Sequence, residues 1–115
     1  MNKILVLGGG SWGTTLGNLL AEKDHNVSLW ARNSKIFKKV KNNWVNNLYL
    51  PKYKLSRNLK IVSNLKDAFK DVELVIIAIP SKGFRSISSK ISKYLDNQKI
   101  LIASKGIENK SFMTM

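Results

Sequence analysis

Cysteine is absent from the chain, and His25 is the single histidine among its 115 residues. Without thiols, the chain can form neither a disulfide framework nor a thiolate metal site. One imidazole also falls short of a histidine-based metal site, which needs several protein ligands. Because His25 stands between a predicted helix and a predicted strand, we expect an exposed loop side chain there and no bound metal.

Long apolar runs are missing as well. No apolar segment reaches the ~18 residues of a transmembrane helix, and the N-terminus has no basic region followed by a small-residue cleavage site. These absences predict a cytoplasmic protein without membrane insertion. The length corresponds to about one domain, which is enough for a hydrophobic core but short for a complete enzyme.

Acidic residues are few, and the resulting charge raises the question of a polyanionic partner. Seven Asp and Glu stand against 20 Lys and Arg, for a formal net charge of +13 at pH 7. Such a balance suits a nucleic-acid binder, yet the cations are mostly lysines spread along the chain. The densest group, within residues 35–41, falls on a predicted short helix that belongs to no known nucleic-acid-reading motif. We therefore expect no nucleic-acid partner as the primary function, although general basicity attracts polyanions.

Three consecutive glycines follow the first apolar segment, in the stretch KILVLGGGSWGTTLG, residues 3–17. Residues 4–7 are apolar throughout, which is typical of a parallel strand buried on both faces. The glycines end that strand, and a segment with leucines at helical spacing follows. Gly8, Gly10 and Gly13 therefore match the G-x-G-x-x-G dinucleotide fingerprint in the strand–turn–helix context that it requires.

Each glycine of the fingerprint has its own mechanical role. Gly8 permits the tight turn, Gly10 lets the backbone approach a pyrophosphate, and Gly13 lets the helix pack closely on the strand. The helix N-terminus presents free N–H groups to phosphates, and we expect Ser11 and Trp12 to be the direct backbone donors. We expect the Trp12 indole itself to pack on neighbouring loops. The alternative interpretation is a purely structural glycine turn.

The rest of the chain alternates predicted strands and helices. Strands are predicted at residues 26–31, 59–62, 72–80 and 99–104, helices at 35–41, 64–70 and 82–95, and an irregular connection at 42–58. This alternation predicts an α/β fold with a doubly wound parallel sheet, a Rossmann-like dinucleotide-binding domain over residues 1–115. Ligands of such sheets bind beyond the carboxyl ends of the strands. The chain at residues 8–10, 31–33, 80–81 and 104–106 should therefore line one cleft.

The end of the second predicted strand indicates which dinucleotide binds. NAD-specific sites commonly place Asp or Glu about 20 residues after the glycines, where the carboxylate binds the ribose 2′-hydroxyl. This chain has Ala31, Arg32 and Asn33 there and no carboxylate. Arg32, with help from Lys35, would pair with a 2′-phosphate, which predicts that NADP(H) is preferred and NAD(H) is the second choice. The alternative is that Arg32 is a solvated loop charge.

Several segments taken together resemble one enzyme family. GGGSWGTTLG, LWARN, NLYLP, IAIPS and SKGIE stand in the order and spacing seen in bacterial NAD(P)-dependent glycerol-3-phosphate dehydrogenases. The whole chain is similar to the N-terminal cofactor domain of that family. The resemblance implies an oxidoreductase that reduces dihydroxyacetone phosphate to sn-glycerol 3-phosphate with NAD(P)H, for phospholipid synthesis.

The same resemblance implies roles for individual residues. Ser11 and Trp12 would contact the cofactor pyrophosphate, and Arg32 would bind the adenosine end, with Asn33 beside it in the cofactor site. Tyr49 would lie near the cofactor. Lys105 would lie where cofactor and substrate meet, since its ammonium suits an anionic substrate and the developing negative charge on the reacting carbonyl oxygen.

The resemblance also implies a part that this sequence does not contain. The family continues into a largely helical domain that supplies the general acid/base lysine and most of the substrate pocket. We therefore expect a cofactor-binding part that is inactive alone. The oligomeric state stays open at this point, because the contacts of a homodimer of the full-length form would lie in that helical domain. Two alternatives stay open: another NADP-dependent reductase, such as a ketopantoate reductase or 6-phosphogluconate dehydrogenase relative, and a non-catalytic nucleotide-binding or basic nucleic-acid-binding module. NLYLP and SKGIE argue against the first of these.

Overall fold

The computed structural model describes residues 3–31, 55–104 and 114. The predicted lysine-rich helix at 35–41, most of the predicted connection at 42–58, and the residues from Lys105 to Met113 lie outside this part. Five strands and three α-helices follow one another in the described part. They are β1 (Lys3–Leu7), α1 (Ser11–Glu22), β2 (Asn26–Trp30), β3 (Leu59–Val62), α2 (Leu65–Ala68), β4 (Val72–Ile77), α3 (Ser81–Ile91) and β5 (Lys99–Ile102), and a 3₁₀ turn at Ser92–Tyr94 extends α3.

All strand pairs in the sheet are parallel, and the strand order is β3-β2-β1-β4-β5. The chain therefore builds outward from β1 to β3 on one side and then crosses to β4 on the other. The point where the order reverses lies between β1 and β4, and open α/β sheets bind ligands at such a point. The predicted doubly wound parallel sheet is confirmed.

The central strand explains the apolar run that opens the sequence. Ile4, Leu5, Val6 and Leu7 are all buried, because layers of side chains cover both faces of β1. Leu5 and Leu7 pack in a cluster with Ile87 of α3 on one face, while Ile4 and Val6 pack in a second cluster on the other face. Burial of each such side chain stabilises the fold by about 1.5–3 kcal/mol.

β2, β4, β5 and α3 end earlier than the sequence pattern predicts, whereas β1 and β3 end at the predicted residues. β2 ends at Trp30, β4 at Ile77 and β5 at Ile102, one to three residues before the predicted ends. The backbone N–H of Ala78 still bonds to the Leu7 carbonyl at 2.9 Å, and that of Ala103 to the Ile77 carbonyl at 2.8 Å. The apolar pattern therefore continues into residues that remain tied to the sheet but already turn toward the next element.

Helix α3 presents the predicted apolar face. Phe84, Ile87 and Ile91 are buried against the sheet. Leu95, predicted to share that face within the helix, packs against the same cluster from beyond the 3₁₀ turn. No helix in the described ranges is long and apolar enough to cross a membrane.

Candidate functional site

The carboxyl ends of the strands meet at one edge of the sheet, as predicted for the described parts of the cleft. The Gly8 N–H, just past β1, donates to the Trp30 carbonyl at 2.8 Å, and the Ala78 N–H, just past β4, donates to Leu7. The Ser104 hydroxyl, just past β5, donates to the Ile77 carbonyl at 3.2 Å. Chain segments far apart in sequence therefore surround the end of β1.

Gly8 needs to be glycine for two reasons that the structure makes visible. Its φ of +127° lies in a region that side-chain-bearing residues rarely adopt. A Cβ at this position would lie 2.5 Å from the Ala78 carbonyl oxygen, well inside van der Waals contact. The turn out of β1 can therefore pass β4 only without a side chain at this position.

Gly13 explains how α1 approaches the turn so closely. A Cβ on Gly13 would collide with the Gly8 carbonyl oxygen, and it would also lie 3.3 Å from the Ala78 Cβ. Glycine at the third fingerprint position thus lets the first turn of the helix rest directly on the end of β1. This is the packing role that the sequence predicts for it.

Gly10 differs from both, because a Cβ there would meet nothing within 4 Å. Its φ of −71° and ψ of 179° are extended values that any residue adopts. Neither backbone strain nor crowding within the described fold therefore requires glycine at this position. Open space beside a bare backbone is the arrangement that a close-approaching phosphate needs.

The N-terminus of α1 opens onto the same space. The first helical hydrogen bond runs from the Thr14 N–H to the Gly10 carbonyl at 3.0 Å, so the N–H groups of residues 11–13 have no acceptor within the helix. No side chain caps this end, and its first turn contains no acidic residue. The uncompensated positive end of the helix dipole suits an anion.

Thr14 holds the turn in shape, a role that the sequence analysis did not foresee. Its side chain is fully buried, and its hydroxyl donates to the Gly9 carbonyl at 3.2 Å. A threonine one turn into a helix carries no distinct sequence signal for such a bond, since Ser and Thr bond to nearby backbone in many contexts.

Trp12 behaves differently from the expectation for its side chain. Its backbone lies in the first turn of α1, where the predicted phosphate donors are. The indole is 56% exposed, so the prediction that it packs on neighbouring loops is wrong. An indole that projects to solvent at the mouth of the candidate site is well placed to report binding there.

Four predicted site residues, Arg32, Asn33, Tyr49 and Lys105, lie outside the described residues. The structure does place the chain positions that lead to two of them. Ala31, directly before Arg32, is buried at the end of β2, and Ser104, directly before Lys105, is tied to β4. Both segments therefore leave the sheet at the edge where the glycine turn lies.

A nicotinamide dinucleotide fits this arrangement at its pyrophosphate. The open space at Gly10 accepts a group that a Cβ would displace, and the uncapped N–H groups of α1 supply donors. The described residues thus form, at the reversal point of a parallel sheet, a turn with the open space and the free N–H donors that an anion would need.

Comparison with known proteins points in the same direction. The profile of the family described as "NAD-dependent glycerol-3-phosphate dehydrogenase N-terminus" matches residues 3–115. Proteins named glycerol-3-phosphate dehydrogenase [NAD(P)+] from Carboxydothermus hydrogenoformans and Acinetobacter baumannii are 41% and 36% identical over 114 and 113 residues, in both cases 98% of this chain. A crystal structure of glycerol-3-phosphate dehydrogenase from Coxiella burnetii, 33% identical, superposes with a TM-score of 0.89 over 94% of this chain. The chain spans only about a third of these proteins, at 34%, 32% and 34% of their respective lengths.

Proposed function

Because the chain belongs to the N-terminal family of NAD-dependent glycerol-3-phosphate dehydrogenases, we propose that its glycine turn binds the pyrophosphate of NADP(H) or NAD(H). The chain would be the cofactor-binding part of an enzyme that interconverts dihydroxyacetone phosphate and sn-glycerol 3-phosphate. The observation that carries this proposal is the open space at Gly10 beside the uncapped end of α1. Neither the backbone conformation of Gly10 nor packing within the described fold requires glycine at this position.

The described residues would hold the cofactor chiefly through backbone groups. The N–H groups of Ser11, Trp12 and Gly13 would donate to the pyrophosphate, and Gly8 and Gly13 would keep the turn tight enough to aim them. Donors fixed by the fold bind an anion without first having to be ordered, which lowers the entropic cost of binding.

The chemistry would be divided between this chain and the part of the relatives that it does not match. The bound cofactor would supply or accept the hydride. Lys105 would place its ammonium near the carbonyl oxygen of the substrate, where negative charge develops during reduction. A general acid must also protonate the resulting alkoxide, and in the family that lysine comes from the second domain. We therefore expect the chain alone to bind cofactor without turning substrate over.

A titration of the chain with NADPH and NADH, followed by tryptophan fluorescence, tests cofactor binding, because Trp12 lies in the first turn of α1 at the candidate site. In the variant Gly10→Ser, the new Cβ would occupy the phosphate space while the hydroxyl caps α1, so folding should be kept. We expect a dissociation constant raised at least about tenfold, since the Cβ blocks the close approach that the second fingerprint glycine permits. The midpoint of thermal unfolding should not fall.

The variant Gly17→Ala is the matched control for that titration. Gly17 lies on the same helix, and a Cβ there would make an ordinary 3.4 Å contact with Leu59 Cδ1. Its cofactor affinity should equal that of the unaltered chain. Equal affinity in the Gly10→Ser variant, or saturable binding by neither the unaltered chain nor the control, would exclude the proposed site.

The choice of cofactor is a second part of the proposal. Arg32 would pair with the 2′-phosphate of NADPH, so Arg32→Asp should reverse the ratio of the NADPH and NADH affinities. The control Arg57→Asp makes the same change of charge at an exposed residue just before β3, at the opposite edge of the sheet. An unchanged ratio in the Arg32 variant would reject NADP(H) preference while leaving dinucleotide binding intact.

A further inference from the structure

Trp30 lies where the glycine turn and the ends of β2 and β3 meet. It is the last residue of β2 and is only 8% exposed. Its backbone carbonyl accepts the hydrogen bond from Gly8, and its indole Nε1 donates to the Ser63 carbonyl at 3.1 Å. One residue therefore ties the first fingerprint glycine to the segment that leaves β3.

The bond between the Trp30 indole and the Ser63 carbonyl joins β2 and β3 one residue beyond the last register pair of the two strands. Trp30 is the register partner of Val62, the last residue of β3, and Ser63 follows directly. The indole itself belongs to the buried cluster that includes Leu7 and Phe69. Because the ring is packed in this cluster, its N–H cannot turn away from Ser63 without the loss of core contacts.

The Trp30–Ser63 bond lies at the end of β2, directly before the residues that would bind the adenosine half of a dinucleotide. In sheets of this topology, the residues that follow the second strand bind the ribose. Here those residues are Ala31 and Arg32, which follow Trp30 directly in the chain. Any change in where β2 ends relative to β3 would move the start of that segment.

We propose that Trp30 is a positioning residue for the adenosine half of the cofactor. Its indole–Ser63 bond holds the ends of β2 and β3 at the separation in which the segment after β2 binds the ribose. The inference rests on the proposed function, since it presupposes that a dinucleotide binds at this edge.

Two partial ligands separate this role from a general structural one. Adenosine 2′,5′-bisphosphate contains the adenosine end without a pyrophosphate, whereas inorganic pyrophosphate probes the glycine turn alone. The variant Trp30→Phe keeps an aromatic ring in the cluster but removes the N–H donor together with part of the apolar volume of the indole. By calorimetry, we expect the dissociation constants of NADPH and adenosine 2′,5′-bisphosphate to rise by a common factor of up to about five, because the Trp30–Ser63 bond can favour the binding geometry by no more than the free energy of one neutral hydrogen bond. The dissociation constant of pyrophosphate should stay unchanged.

The variant Tyr94→Phe is the control, because Tyr94 packs against the same cluster and loses one polar group there while its aromatic ring is kept. It should bind all three probes as the unaltered chain does. An equal rise for adenosine 2′,5′-bisphosphate and pyrophosphate in the Trp30 variant would show a merely structural role and overturn the inference, as would no rise for either. If the unaltered chain binds none of the probes, the proposed function fails first and the inference fails with it.

A measurement on the unaltered chain covers the case in which Trp30→Phe does not fold. In ¹⁵N-labelled protein, the indole resonance of Trp30 can be assigned by comparison with Trp12→Phe and Trp44→Phe. It should shift with adenosine 2′,5′-bisphosphate and stay in place with pyrophosphate. An identical response to the two ligands would overturn the inference.

Discussion

At the scale of single residues, the three fingerprint glycines are required for different physical reasons. Gly8 combines a positive φ with a close approach to the Ala78 carbonyl, Gly13 rests on the Gly8 carbonyl, and Gly10 faces open space. The first two positions are therefore constrained by folding. Only the third is left for a ligand to explain, which is why it carries the functional proposal.

This difference predicts opposite behaviour for neighbouring glycines. Gly8→Ala should lower the free energy of unfolding by about 3 kcal/mol or more, because the Cβ adds a severe contact to an unfavourable φ. Gly10→Ser should change the same quantity by less than about 1 kcal/mol, since Gly and Ser are both accepted at a helix N-cap. Urea unfolding of the two variants measures both values. Similar losses in the two would contradict the assignment of distinct roles.

Individual residues of the site also differ in whether the sequence pattern could predict their contacts. The glycine spacing is local, so the turn and its helix were predictable from residues 3–17. The contact partner of Gly8 was not, because Ala78 lies just past β4, 70 residues further along the chain, and every residue type carries the backbone carbonyl that makes this contact. Thr14 was missed for a related reason, since its hydroxyl bond depends on the path of the turn.

At the scale of secondary-structure elements, one buried amide joins α1 to the segment that enters β3. Asn18 is 1% exposed, and its Oδ1 accepts from the Ser56 N–H at 2.6 Å while its Nδ2 donates to Glu22 at 3.1 Å. Asn58 adds a further bond to the Ala21 carbonyl at 3.4 Å. These bonds hold the segment that leads into β3 against α1.

Removal of the Asn18 side-chain amide should therefore lower the free energy of unfolding by more than the loss of an average hydrogen bond does. Asn18→Leu leaves the Ser56 N–H without its acceptor in a partly buried place, and we expect a loss of about 1–3 kcal/mol in the free energy of unfolding. Glu22→Gln is the control, because the glutamine carbonyl can still accept from Asn18, and its effect should be within about 0.5 kcal/mol. Denaturant unfolding of both variants measures the difference. A control as destabilised as the leucine variant would assign the effect to Glu22 rather than to Ser56.

At the scale of the whole molecule, β5 is the last strand of the described sheet and differs from the other strands in its burial. Ile100, Leu101 and Ile102 are 46%, 52% and 43% exposed, although strands in parallel sheets are usually covered on both faces. Exposed apolar edge strands promote association. The net charge of +13 opposes it, since like-charged molecules repel one another at low ionic strength.

We expect self-association of this chain to increase with salt and to depend on β5. Leu101→Lys should reduce the fraction of oligomers at moderate salt, while its effect on the free energy of unfolding stays within about 0.5 kcal/mol because the side chain is exposed. Leu19→Lys, on α1 and 48% exposed, makes the same substitution away from the sheet edge. Sedimentation velocity at two salt concentrations measures the oligomer fraction. A reduction of equal size in the α1 variant would show that charge alone, and not the edge, controls association.

The sequence by itself determined the class of fold and the place of the candidate site. Apolar runs that are hydrophobic on both faces specify parallel strands, helical spacing specifies the covering layers, and a glycine fingerprint between them marks one turn. All of these are local patterns, so they can be recognised from residues that are close together in the sequence. The family resemblance likewise rests on short segments in a set order.

Only the tertiary structure decided which groups hold that site together. The Ala78 carbonyl beside Gly8, the Ser63 carbonyl at the indole of Trp30 and the Ser56 N–H at Asn18 join residues that lie 70, 33 and 38 positions apart. Two of these groups are carbonyls and one is an amide N–H, all of the backbone. Because every residue carries a backbone carbonyl and nearly every residue an amide N–H, no pattern of side chains could show which of them the fold would bring into contact.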